Sequence, residues 1–121
     1  MVLDAPDLPS LFSQAARGLA ELMVERPEAI VAQEPLEVSV EGRDAEALLV
    51  SWLDELIYQT EVTGKVYPVV ERIELQEGKL SARVLGGPPE AFKTSVKAAT
   101  FHGLSIEETE EGTRAAVVLD V

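Results

Sequence analysis

Residues Glu41–Glu61 read EGRDAEALLVSWLDELIYQTE. Their apolar positions, Leu48, Leu49, Trp52, Leu53, Leu56 and Ile57, recur at three- and four-residue intervals, which is helical and not strand spacing. Asp44 stands where a side-chain oxygen is needed to cap the first free amides. The apolar stripe is wide, so this helix presses broadly onto another layer, and a sheet supplies such a surface.

Upstream, LEVSVE alternates Leu36, Val38 and Val40 inward with Glu37, Ser39 and Glu41 outward, the pattern of a half-buried strand. Before it, the run DLPSLFSQAARGLAELM places Leu8, Leu11, Phe12, Ala15, Leu19, Leu22 and Met23 on one helical face. Asp7 caps that helix, and Pro9 occupies its first turn, where a missing N–H costs little.

Downstream the chain reads as strand. VVERIELQ and KLSARVLG join through Glu77-Gly78. TSVKAATF follows, and then LSIEET and TRAAVVLDV join around Glu111-Gly112. The segment GGPPE, Gly86 to Glu90, is a loop, because consecutive prolines donate nothing to a ladder. In RAAVVLDV both alternating rows are apolar until Asp120, which predicts a central strand covered on both faces. Helices come early and strands late, so the expected fold is α+β: one domain over residues 1–121, with two amphipathic helices packed on a mixed, mostly antiparallel sheet.

Composition narrows the function. The chain has 121 residues, 46% of them hydrophobic and 26% charged, and no run approaches the roughly 20 apolar residues that span a bilayer. The first residues lack the basic start and apolar run of a secretory signal, and cysteine is absent. A reducing cytoplasm is the expected compartment. The net charge of −12 argues against direct nucleic-acid binding, which draws affinity from Lys and Arg set against phosphates.

Few residues carry chemistry. Lys97 lies in the alternating row Lys97, Ala99, Phe101, either as a charge that guards a strand edge or as a functional cation. His102, the single histidine, precedes Gly103 where one strand is expected to end and the next to begin, and its near-neutral unperturbed pKa suits acid–base or metal work. Asp120 and the α-carboxylate of Val121 are two hard oxygen donors at the chain's end. They suit Ca²⁺ or Mg²⁺ better than a transition metal, and the alternative is a solvated tail. The acidic hairpin SIEETEEGTR lacks EF-hand spacing and reads as a solvated tip.

Four segments in order, LPSLFSQAARGLAELM, AEALLVSWLDELIYQTE, VKAATFHGL and VVLDV, resemble the archease family nearly end to end. The resemblance implies a non-enzymatic helper that promotes guanylylation of an RtcB-type RNA ligase in tRNA splicing or RNA repair. It also implies a divalent cation, Ca²⁺ first and Mg²⁺ as the alternative, held in part by Asp120 and Val121. Lys97 matches the family's lysine beside that cation, and His102 falls in the matching segment as a partner-facing residue. The family's N-terminal His-Thr-Ala-Asp segment, the other half of the cation site, has no counterpart here. Either the start lies upstream of Met1 or the site is incomplete. Gly87 stands where the family tends to carry a carboxylate. Two other readings remain: a small metal-dependent hydrolase that uses Asp120, His102 and Lys97, and an acidic protein-interaction domain without metal.

Overall fold

The computed structural model describes residues 1–121. A short strand, β1 (Val2–Ala5), leads into helix α1 (Leu8–Met23). After a single 3-10 turn at Pro27–Ala29 come β2 (Glu34–Glu41), α2 (Ala45–Thr63), β3 (Val66–Gln76), β4 (Lys79–Gly87), β5 (Ala98–Thr109) and β6 (Gly112–Asp120). The α+β class and both helices are as expected. The strands are more divided than a single mixed sheet: they form two three-stranded sheets, in the orders β1-β6-β5 and β2-β4-β3, and every pairing is antiparallel.

Both helices start on the predicted caps. Asp7 accepts a hydrogen bond from the Ser10 amide and Asp44 one from the Ala47 amide, each at 2.8 Å. The hydrogen bonds from Ser10 hold the Asp7 carboxyl below its ordinary value. Gly64 ends α2 in the left-handed conformation and returns its amide to the Thr60 carbonyl.

The helices share one core between the sheets. From α1, Leu11, Phe12, Ala15, Ala16, Leu19, Ala20 and Met23 are buried, whereas Leu22, expected inside, sits at the rim and is exposed. All six expected stripe residues of α2 are buried, joined by Val50 and Thr60. Trp52 is fully enclosed, and its indole N–H donates to the Phe12 carbonyl of α1 at 2.9 Å. Helix α1 packs on β3 and β1, and α2 packs on β5 and β2, so each helix bridges the two sheets.

The β3–β4 hairpin turns at Glu77 (φ 48°) and Gly78 (φ 77°). Two successive positive φ angles make a type I′ turn, which matches the natural twist of the strands it joins. At Gly78 a Cβ would also stand 2.7 Å from the Gly42 carbonyl oxygen, so glycine answers two demands there. Gly86 and Gly87, expected in the loop, instead complete β4, and the loop begins at Pro88.

Two strand expectations are corrected. TSVKAATF and LSIEET do not form separate strands: β5 starts at Ala98 and runs through His102-Gly103 to Thr109. Thr100 pairs with Val118 and Ser105 with Ala116, so Phe101 to Leu104 stand opposite Val117 alone. This is a wide bulge, with Gly103 at φ 71° absorbing the bend. The second correction concerns β6, which is central as expected but covered on one face only. Thr113, Ala115 and Val117 are buried, while Val118, in the other row, is 46% exposed. The outer face of this sheet is open.

Candidate functional site

Lys97 and Asp120 meet through the backbone: the Lys97 amide donates to the Asp120 carbonyl at 2.7 Å. This bond closes the end of the β5–β6 ladder one residue before the Ala98–Asp120 pair. The register therefore brings Lys97, Asp120 and the terminal Val121 to one corner of the molecule, and all three are exposed. Lys97 does not share the buried row of Ala99, as strict alternation predicted. Val96 and Ala99 turn inward instead, because the chain is not yet in the ladder at residue 97.

The other side of β6 pairs with β1. Strand β1 begins its register at Val2 opposite Ala116, and Met1 exchanges backbone hydrogen bonds with Val117.

Neither Asp120 nor the Val121 carboxylate forms an ion pair within the chain. Of the ten Lys and Arg residues, only Arg26, Lys93 and Lys97 form none. By contrast, Lys65 is bound to Glu34 at 2.6 Å, and that hydrogen bond raises the lysine's pKa. The corner thus presents two hard anionic oxygens and one uncommitted ammonium to solvent. The donor set fits part of a Ca²⁺ or Mg²⁺ shell, with the remaining positions left to water or a partner. No group of three or more His, Cys, Asp or Glu side chains gathers anywhere to hold a metal by itself.

His102 lies apart. It sits on the bulge, exposed, and its backbone amide donates to the Thr100 hydroxyl at 3.0 Å. It lies four positions along β5 from Ala98, on the order of 10 Å of strand from the carboxylate corner. The structure therefore joins Lys97, Asp120 and Val121 and leaves His102 outside that group. The Gly87 position is buried at the end of β4.

One positioning residue escaped the sequence reading. Asp54 of α2 accepts the Ala99 amide on its Oδ1 at 2.7 Å, partly buried. This charge-assisted bond fixes the first residues of β5, and with them Lys97, to the helix. The only signal was a short carboxylate directly after Leu53, at the border of the apolar stripe. Asp54→Ala should cost about 2 kcal/mol, the range for hydrogen bonds to charged groups. It should also speed hydrogen exchange at the Ala99 amide selectively; unchanged exchange there would show that the bond does not hold the strand.

Known proteins similar to this chain identify its family and fold. The model of the archease protein family matches residues 1–121. A protein archease of Methanosarcina mazei is 34% identical over 119 residues, covering 92% of this chain and 81% of the relative. One from Thermococcus kodakarensis is 38% identical over 112 residues, covering 87% and 78%. Among solved structures, the solution structure of protein 1598 of Methanobacterium thermoautotrophicum superposes with a TM-score of 0.71 at 26% identity, covering 99% of this chain and 89% of that one. The crystal structure of an archease, described as a possible chaperone, from Thermotoga maritima gives 0.66 at 19% identity, covering 100% and 88%, and supports the fold alone. With the family matched along the whole chain and relatives above 30% identity over most of both lengths, this protein belongs to the archease family.

Proposed function

We propose that the chain is an accessory protein that activates an RtcB-type RNA ligase by promoting its guanylylation, and that it joins no RNA itself. The observation that carries this reading is the exposed corner of Lys97, Asp120 and the Val121 carboxylate, in a chain matched to the archease family from end to end. These groups are free of internal ion pairs and so are available to a partner. A divalent cation held in part by Asp120 and Val121 would supply positive charge beside them. Lys97 contributes a compact, mobile cation on a flexible stem, suited to a phosphate or carboxylate of the ligase site.

The charge of −12 agrees with a helper that leaves RNA binding to its partner. No helix is long and apolar enough to cross a membrane, and we place the activity in the cytoplasm. His102 stands outside the corner and, on the protruding bulge, serves as a partner contact. The hydrolase alternative loses its support from geometry, because His102 and Asp120 do not converge.

The test is multiple-turnover guanylylation and RNA joining by the same organism's ligase, with and without this chain, in added Ca²⁺ or Mg²⁺. Stimulation well above the ligase alone is expected. Its absence at every cation concentration would remove the activation role.

A further inference from the structure

Next to the corner, a groove of about 580 Å³ opens between the C-terminal turn of α2 and the segment Phe92–Lys97. Its volume falls within the roughly 300–1,000 Å³ of small-molecule sites. Ile57 and Val96, both buried, form an apolar floor, and Phe92 stands half exposed at the side. Lys97 and Glu61 supply one charge of each sign at the rim.

Thr60 is the informative residue. It is only 9% exposed, it lines the groove, and its carbonyl closes the helix by accepting the Gly64 amide. Its hydroxyl, unlike that of Thr63, which donates to Gln59, forms no hydrogen bond within the protein. Since no fully buried side-chain N or O in the structure lacks a partner, this hydroxyl keeps access to solvent although the residue is mostly buried, and it does so in a groove that an unpaired lysine also lines. The hydroxyls of Thr94 and Ser95 lie on the opposite wall, also unbonded, and the unpaired Lys93 flanks them in sequence.

We propose that this groove binds a nucleoside monophosphate. The aromatic face of Phe92 takes the base. Glu61 and the Thr60 hydroxyl take the ribose hydroxyls, and the Lys97 ammonium with Ser95 and Thr94 takes the phosphate. One uncommitted ammonium matches one phosphate; a triphosphate would add charge that a chain of net −12 opposes. The same charge disfavours a nucleotide presented on a polynucleotide, whose further phosphates meet no cations. The site goes beyond the ligase-helper reading, and its test needs no ligase, so either idea fails without the other.

The experiment is a titration of the isotope-labelled full chain with GMP, followed by amide chemical shifts. GTP, guanosine and a 5′-phosphorylated oligonucleotide are the comparison arms. Saturable shifts at Thr60, Glu61, Phe92 and Ser95 are expected, with GMP binding tighter than the other three. Phe92→Ala should weaken GMP about tenfold, as loss of base stacking does. Thr60→Val, which keeps the side chain's shape, should weaken it about fivefold. Phe92 is half exposed, so its truncation leaves the fold intact and keeps the test decisive. Absence of saturable shifts, shifts that map elsewhere, tighter binding of the oligonucleotide, or unchanged affinity in a folded Phe92→Ala chain would each overturn the proposal.

Discussion

Asp120→Ala should remove stimulation of the ligase while leaving the domain folded. Asp120 is exposed at the end of β6, and what it gives the fold is its backbone carbonyl, which accepts the Lys97 amide. Alanine keeps that carbonyl. The expected change in stability is within about 0.5 kcal/mol, the usual range for surface substitutions. The expected change in activation is far larger. The carboxylate is one of two anionic donors at the corner, and loss even of outer partners of a metal site typically costs about 10–100-fold in affinity or activity. Asp120→Asn separates charge from shape: it keeps the side chain's size and a carbonyl oxygen but loses the negative charge that favours a hard cation. If charge carries the role, Asn should behave like Ala, and raised Ca²⁺ should partly restore both. Full stimulation by Asp120→Ala would remove the corner from the mechanism.

The parts of the molecule that local chemistry controls could be read from the sequence. Asp7 and Asp44 cap their helices because short carboxylates satisfy free amides wherever a helix begins, whatever packs later. The stripe from Leu48 to Ile57 is buried as its spacing required, and Gly78 marks the hairpin because glycine accepts a positive φ without steric cost, although Glu77 beside it adopts one too. What failed depended on neighbours. His102-Gly103 looked like a strand end, since glycine commonly marks one. The pairing of β5 with the long β6 carries the strand through as a bulge instead. The double apolar row of β6 suggested two covered faces, yet nothing packs over Val118.

The site divides in the same way. Asp120 and Val121 are adjacent in sequence, so their closeness needed no fold. The approach of Lys97 comes from antiparallel register, which one strand's composition does not encode. The role of Asp54 was not legible for a related reason: its partner, the Ala99 amide, lies 45 positions away and belongs to another element.

Trp52→Ala should be the most damaging single change to the fold. The side chain is completely enclosed, and it joins the two helices both by packing and by its bond to the Phe12 carbonyl. Truncating a buried aromatic residue typically costs about 3–5 kcal/mol, against a total stability of about 5–15 kcal/mol. For a domain of this size that corresponds to a fall in Tm on the order of 10–20 °C. Trp52→Phe divides the effect. It keeps most of the ring but loses the indole donor, so about 1–2 kcal/mol should remain as the cost of the hydrogen bond and the smaller void. Equal losses for Ala and Phe would mean that the bond, not the packing, joins the helices. Both variants also bear on function, because Asp54 lies two residues further along the same helix and holds the start of β5. Trp52→Ala should therefore lose ligase stimulation in step with its unfolding curve and regain it on cooling, whereas Asp120→Ala should lack it at every temperature. That contrast separates a corner that acts from a core that merely holds it in place.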